Sequence, residues 1–188
     1  MAAVGWATYR LGAEPRLASE RPDRPTAEET GVTMDWREFI DLVRQWAIAN
    51  EKRISTKWPQ KGGWEEWAKG EIFSYITDQR PSTDILREQR CWATKDADFV
   101  LNRSAADPSH KVVVEFKAQS YENYTNFLPG LVKDVQKLTK GLVPAYGQAT
   151  LVVAGLYFTE HRTAIPGYFT TEALGNGEIG ICYAVDVQ

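Results

Sequence analysis

The stretch KVVVEFKAQ, at positions 111–119, constrains the fold of this chain more than any other part of it. Successive side chains of a β-strand point to opposite faces of the sheet. The even positions from Val112 to Ala118 are apolar, so we expect their face to lie against a core. The odd positions place Glu115 and Lys117 on the other face, about 6 to 7 Å apart along the strand. The stretch therefore predicts a strand that carries a carboxylate and an amine next to a hydrophobic core.

The composition limits the class of protein. The chain has 188 residues, of which 43% are hydrophobic, so its length and apolar content predict one domain with a substantial core. The formal net charge of -3 is unusual for a protein that coats nucleic acid, although an acidic body can carry a local basic groove. Net charge alone therefore does not decide the partner.

Two further features bear on the compartment. Cys91 and Cys182 lie far apart without a CxxC partner, which favours buried free thiols over a zinc site or a disulfide framework. The longest apolar run, LVVAGLYF at 151–158, is too short to cross a bilayer, and the amino-terminal segment has no apolar core of a signal peptide. We expect a cytoplasmic protein without a membrane-spanning segment.

The domain is expected to begin near Met34. Positions 11–33 are rich in Pro, Arg, Glu and Ala and lack apolar periodicity, so we interpret 1–33 as a flexible leader and 34–188 as a single domain. The sequence leaves open whether Met34 is the start of the natural protein.

Periodicity predicts the order of the elements inside that domain. Helical spacing predicts a helix at 34–50, with Thr33 as a candidate N-cap, and a second helix at 63–79. A period of two then predicts three strands, followed by a helix and two more strands. These elements are expected at Glu88–Trp92, Asp98–Asn102, Lys111–Gln119, Tyr124–Lys140, 148–159 and 179–188. The helix lysines Lys133, Lys137 and Lys140 are expected to point outward.

A basic and aromatic segment, KRISTKWPQKGGW at 52–64, is predicted to be a loop. Its cations suit phosphate contacts, and Trp58 or Trp64 could stack on an unpaired base. A solvated loop anchored by packed tryptophans is an equally supported interpretation. The predicted nucleic-acid-binding residues are Lys52, Arg53, Lys57, Trp58, Lys61, Lys133 and Lys137.

The order of helix, three strands, helix and strand resembles the core of the PD-(D/E)xK, or restriction-endonuclease-like, nuclease superfamily. The motif of that superfamily is an Asp entering one strand and Glu-x-Lys on the next. Asp98 matches the first position, with Asp96 as an alternative, and Glu115 and Lys117 follow 17 and 19 residues later. Glu71 matches a helical acid found in many members, and Gln119 extends the pattern to E-x-K-x-Q. The resemblance implies an α/β fold with a mixed central sheet flanked by helices in α-β-β-β-α-β order.

The resemblance also implies an activity, namely metal-dependent hydrolysis of phosphodiester bonds, with DNA favoured over RNA. Mg²⁺, or Mn²⁺ in its place, prefers carboxylate oxygens and waters and activates water for attack on phosphorus. The implied metal ligands are Asp98, Glu115 and Glu71, and Lys117 would orient the attacking water or stabilise the transition state. The implied catalytic set is Asp98, Glu115, Lys117, Glu71 and Gln119.

Three alternatives remain open at this point. Glu115 and Lys117 could form a plain ion pair on a solvated sheet, worth less than about 1 kcal/mol. The fold could also serve a noncatalytic nucleic-acid-binding or protein-binding module, or an immunity or adaptor subunit, which would suit the acidic final third of the chain. The sequence leaves the oligomeric state open, with a homodimer or a larger assembly among the alternatives.

Overall fold

The structure is a computed structural model and describes residues 33–138, 140–162 and 164–187. Apart from Thr33, the predicted leader at 1–33 lies outside the described residues. Within them are four α-helices and six strands. The helices are α1 (Trp36–Ala49), α2 (Glu51–Lys57), α3 (Glu65–Gln79) and α4 (Tyr124–Leu138). The strands are β1 (Ile85–Arg90), β2 (Asp96–Leu101), β3 (Val112–Ala118), β4 (Thr150–Phe158), β5 (Thr170–Leu174) and β6 (Ile179–Val185).

All six strands belong to one mixed sheet in the order β1-β2-β3-β4-β6-β5. Strands β3 and β4 run parallel, and every other neighbouring pair runs antiparallel. Parallel neighbours need a crossover connection, and α4 is the helix between β3 and β4. The predicted mixed α/β class is therefore confirmed, and α3-β1-β2-β3-α4-β4 follows the predicted order of elements.

Both faces of the sheet are covered. One face, with Phe99 and Phe116, packs in a hydrophobic cluster with residues of α1 and α3. The other face packs under α4, where Phe127 and Leu131 belong to a second cluster. Gly155 of β4 permits this packing, because a Cβ there would lie only 2.9 Å from the Phe127 ring. The apolar even positions of β3 face a core as predicted, and α4 shields its odd positions from water.

Several element boundaries differ from the prediction. Asp35, rather than Thr33, caps α1, and its side chain accepts the N–H of Glu38 at 2.9 Å. The predicted loop at 52–64 is partly helical, since α2 extends to Lys57. Its buried Ile54 packs in the core with α1 and α3, and this contact is what the local pattern could not indicate.

The strands show two further differences. The first strand begins at Ile85 rather than near Glu88, because its pairing with β2 starts at Ile85↔Leu101. Strand β5 was not predicted, since it is a short edge strand with mostly exposed side chains and gains its structure from pairing with β6. Among the described residues, no helix is both long and apolar enough to cross a bilayer.

Candidate active site

Asp98 lies where the ladder between β2 and β3 stops. The last paired residues are Phe99 and Val114, and beyond them the Asp98 carboxylate accepts the backbone N–H of Phe116 at 2.8 Å. Phe116 separates Glu115 from Lys117 along β3. The Asp98 carboxylate thus takes the place of a backbone carbonyl as the acceptor for the Phe116 N–H. This hydrogen bond holds Asp98 beside the E-x-K segment.

A lysine from α3 neutralises Asp98. The Nζ of Lys69 donates to Oδ1 of Asp98 at 2.9 Å, and Lys69 is only 6% exposed. The alternative acid, Asp96, instead pairs with Arg90, and both side chains are largely in solvent. Of the two aspartates that the sequence left open, Asp98 is therefore the one that lies in the interior with the E-x-K residues.

Glu115 is almost fully buried and has its own lysine. Its Oε1 accepts a hydrogen bond from the Nζ of Lys137 at 2.6 Å, and the Lys137 ammonium lies 4.2 Å from the centre of the Trp92 ring. The prediction that Lys137 points outward is therefore wrong, and its role in binding nucleic acid stays a prediction. The buried carboxylate draws it inward from α4, whereas Lys133 on the same helix is exposed as predicted.

Lys117 lies between α3 and α4. Its Nζ is 3.2 Å from Oε1 of Glu65 and 3.5 Å from Oδ2 of Asp134. The second oxygen of Glu65 accepts the N–H of Ala118 at 3.2 Å. On α4, Gly130 lies beside the Lys117 stem, and a Cβ there would be in ordinary van der Waals contact with the stem carbons at 3.7 Å. Two acids from two helices therefore position the lysine of the E-x-K segment.

Glu65, rather than the predicted Glu71, is the helical acid at this site. Glu65 and Lys69 lie one turn apart on α3, while Glu71 is two residues beyond Lys69 and so about 200° around the helix. Glu71 pairs with Arg53 of α2 at 2.9 Å. The signal for Glu65 was in the sequence, since its spacing to Ile72 places it on the apolar side of the helix.

Gln119 does not line this site. It is fully buried, and its side-chain oxygen accepts the N–H of Phe158 at 2.9 Å. Its side-chain amide donates to the carbonyl of His161 at 3.0 Å. Gln119 therefore fastens the end of β3 to the end of β4, which is a structural role and not the catalytic one that the resemblance implied.

The predicted nucleic-acid-binding cations of the basic segment differ in exposure and in their partners. Lys52 and Lys61 are exposed. Arg53 pairs with Glu71, and the cations of Arg53 and Lys57 lie 5.2 and 5.3 Å from the centre of the Trp67 ring. Two of the cations that were predicted to contact phosphates therefore already have partners within the protein.

The two tryptophans of this segment differ in exposure. Trp64 is 1% exposed and donates its ring N–H to the carbonyl of Gln119 at 2.6 Å, so it cannot stack on a base. Trp58 is half-buried and remains a candidate. The interpretation as a connection pinned by packed tryptophans is correct for Trp64.

The charged residues around the E-x-K segment form one group, which we call the acid–lysine cluster. It consists of Glu65, Lys69, Asp98, Glu115, Lys117, Asp134 and Lys137. Its carboxylates outnumber its ammonium groups by one. Burial raises the pKa of Glu115 to about 7 against the hydrogen bond from Lys137, and the charge of Asp98 adds to this rise.

The same balance affects two other members of the cluster. Burial raises the pKa of Asp134, and the positive charge of Lys117 only partly offsets that rise. Although burial lowers the pKa of Lys117, the charges of Glu65 and Asp134 raise it overall. The cluster thus holds the Lys117 ammonium charged, and its four carboxylates exceed its three lysines, which favours the uptake of a proton or a cation.

The cluster fits a magnesium ion only in part. In the part of the chain that the structure describes, no group of three His, Cys, Asp or Glu side chains is arranged to hold a metal. Mg²⁺ commonly takes only one or two protein carboxylates and keeps several waters. Asp98 and Glu115 lie on adjacent strands, are electrostatically coupled and satisfy that smaller requirement. Without a metal, Lys69 neutralises Asp98 and Lys137 neutralises Glu115. The residues present are therefore compatible with Mg²⁺, without the third ligand predicted at Glu71.

Comparison with known proteins yields no match to any family model, curated protein or solved structure. The geometry of the acid–lysine cluster is therefore the basis on which a function can be argued for this chain.

Proposed function

We propose that this protein is a metal-dependent nuclease that hydrolyses phosphodiester bonds, with DNA as the expected substrate and a restriction-endonuclease-like core. The observation that carries the proposal is the hydrogen bond from the Phe116 N–H to Asp98. It brings the acid of β2 next to Glu115 and Lys117 of β3, which is the combination that the motif requires. An isolated surface ion pair would not need a second strand to supply an acid at the same place.

Each residue of the cluster has a role in this proposal. Asp98 and Glu115 would hold Mg²⁺ or Mn²⁺, which would supply a water of lowered pKa and stabilise charge on the phosphate. Lys117 donates a hydrogen bond that orients the attacking water or stabilises the developing negative charge. Glu65 and Asp134 keep that ammonium charged and in place. In the reaction, the water loses a proton as its oxygen bonds to phosphorus, the bond to the leaving oxygen breaks, and the leaving oxygen gains a proton.

The topology supports the same proposal. The strand that carries Asp98 is antiparallel to the E-x-K strand, and α4 connects the latter to a parallel neighbour. This arrangement agrees with the α-β-β-β-α-β order of the superfamily. It also explains why residues from β2, β3, α3 and α4 can meet at one place.

The test is a cleavage assay on the purified chain. Supercoiled plasmid, linear duplex, single-stranded DNA and RNA are each incubated with Mg²⁺, Mn²⁺ or EDTA. We expect cleavage of DNA with either metal and none in EDTA. Asp98→Asn should abolish it, whereas Asp96→Asn, the matched control at the surface, should retain it. Activity that persists in EDTA, or that survives in Asp98→Asn, would contradict the proposal.

A noncatalytic nucleic-acid-binding module is the second candidate. The observation that favours it is that Lys69 and Lys137 already neutralise the two candidate ligands. A module of this kind would bind DNA equally well in Mg²⁺ and in EDTA and would cleave none of the substrates. The same set of incubations therefore separates the two candidates.

A further inference from the structure

A cavity of about 470 Å³ opens beside the end of β4, apart from the acid–lysine cluster. Its walls combine two aromatic rings, three neutral polar side chains and two carboxylates. These belong to Trp58, Phe158, Ser55, Thr159, Asn176, Glu160 and Glu178. The volume lies within the range of pockets that take small organic ligands.

The aromatic wall is held in a fixed orientation. The Trp58 ring stacks on the His161 ring with centroids 4.5 Å apart and planes within 4°. Phe158 contacts Trp58 at 4.5 Å with a tilt of 60°. Packed on both neighbours, Trp58 offers a preformed surface, so a ligand that stacks there does not first have to order it.

The polar groups select the chemistry of the ligand. Glu160 and Glu178 are exposed, and one oxygen of each already has a partner, His161 at 3.1 Å and the Ser55 hydroxyl at 3.3 Å. Carboxylates repel a phosphate, and the second oxygen of each can accept a hydrogen bond from the amino group of a base. A flat ring that stacks on an aromatic wall and presents an amino group would satisfy both features of the cavity. Of the parts of a nucleotide, the base has these properties.

The cavity is connected to the E-x-K strand. Gln119 lies two residues beyond Lys117, about 7 Å along the chain, and its side chain bonds to Phe158 and His161 at the edge of the cavity. Tyr121 follows, with 63% of its surface exposed, and its N–H donates to the carbonyl of Trp58 at 3.2 Å. Tyr124, 42% exposed, lies 6.3 Å from His161. Aromatic surface therefore extends from the end of β3 to the cavity.

We infer that this cavity binds one unpaired, amino-bearing nucleobase of the substrate, and this inference rests on the proposed nuclease function. A base in a duplex is stacked and paired, so it could not reach Trp58 unless the strand were single or locally opened. The substrate class is then single-stranded nucleic acid, or a duplex opened near the cleavage site. Cytosine is the simplest amino-bearing base for a test, with thymine as its counterpart without the amino group.

Binding measured without metal tests the inference separately from catalysis. Fluorescence anisotropy in EDTA compares labelled 15-mers of oligo-dC and oligo-dT with a 15-bp duplex. The wild-type protein should bind oligo-dC more tightly than either of the others. Trp58→Ala should weaken oligo-dC binding about tenfold or more and duplex binding less than twofold, because stacking on an unpaired base is lost. Trp58→Phe should restore most of the affinity.

A second variant does not disturb the aromatic packing. Glu178→Met should reduce the preference for oligo-dC over oligo-dT about threefold or more, since an acceptor for the amino group is removed. Glu172→Met, an exposed acid on β5, should leave the preference unchanged. A strand with 5-iododeoxycytidine should crosslink under ultraviolet light to the peptide that contains Trp58.

Other results would overturn the inference. Equal affinity of the wild type for single strands and duplex would do so, as would an equal loss for both in Trp58→Ala, or a crosslink confined to other peptides. Metal-dependent cleavage with no effect of Trp58→Ala would overturn the base-binding inference and leave the nuclease proposal standing. Single-strand binding that depends on Trp58, in a protein that cleaves nothing, would overturn the nuclease proposal and leave the base-binding inference standing.

Discussion

The ammonium of Lys69 lies 2.9 Å from the carboxylate of Asp98, and this pair joins α3 to β2 beneath the surface. Lys69 also contacts Glu65 and Glu66. A lysine therefore occupies the charge-compensating position that a metal ion bound to Asp98 would take. Metal binding and the Lys69 ion pair should compete, because each neutralises the same half-buried carboxylate.

Replacement of Lys69 tests this competition. In Lys69→Met, Asp98 loses its partner, and the free energy of unfolding without metal should fall by about 3 kcal/mol. Mn²⁺ should then raise the melting temperature more than in the wild type, and its affinity by calorimetry should rise about tenfold. Lys133→Met, an exposed lysine on α4, is the matched control and should change neither quantity. A Lys69→Met protein that metal does not stabilise would argue against Asp98 as a ligand.

Lys117→Ala separates catalysis from metal binding. The ammonium carries no lone pair for a metal, so the cleavage rate should fall about 10²- to 10⁴-fold while the affinity for Mn²⁺ changes little. Rates come from single-turnover cleavage and affinities from calorimetry, with Lys133→Ala as the control. If cleavage and metal affinity fell together, Lys117 would have a structural role only.

The two glutamates of α3 should differ in effect. Glu65→Gln removes a charge that positions Lys117, so cleavage should fall about tenfold or more and the pH profile of the rate should shift. Glu71→Gln breaks only a partly exposed pair with Arg53, which should cost less than about 1 kcal/mol of stability and leave the rate unchanged. A larger loss of rate in Glu71→Gln than in Glu65→Gln would restore the original prediction for Glu71.

The basic segment before α3 can be tested by its dependence on salt. If Lys57 and Lys61 contact phosphates, the double replacement by Ala should weaken binding to all sequences alike. The slope of log affinity against log salt should flatten by about one unit for each lost contact. Lys95→Ala combined with Lys140→Ala removes two exposed cations outside the predicted set and serves as the control. An unchanged slope in the Lys57 and Lys61 variant would leave the segment as a solvated connection.

The two cysteines should be inert in the folded protein. Both are buried, and burial raises the pKa of the Cys91 thiol and of the Cys182 thiol to about 12. Because the thiolate is the reactive form, an aromatic disulfide reagent at pH 8 should modify neither until the protein is unfolded in guanidinium. Thr94→Cys places a thiol on the surface and should react at once. Rapid modification of Cys91 or Cys182 in the native protein would contradict their described burial.

The residues of the candidate site that could be predicted from the sequence are those on the two neighbouring strands β2 and β3. The alternation in KVVVEFKAQ predicts which side chains share a face, so Glu115 and Lys117 were found from the sequence. Asp98 was predicted from the resemblance to the motif, and the 17-residue gap to Glu115 fits the length of two strands and a turn. Gln119 follows the same alternation, but its side chain is bonded to the main chain of β4, a contact between elements that no local pattern reports.

The sequence by itself determined the period of each main element and their order, because the side-chain period of a helix or strand is a property of the local backbone. Only the tertiary structure decided which helix residues reach the site. Glu65 replaces Glu71, and Lys137 turns inward to Glu115, because the packing of α3 and α4 across the sheet sets which side of each helix meets β3. A buried carboxylate must find a partner, and the nearest cation was defined by distance in space rather than by spacing along the chain.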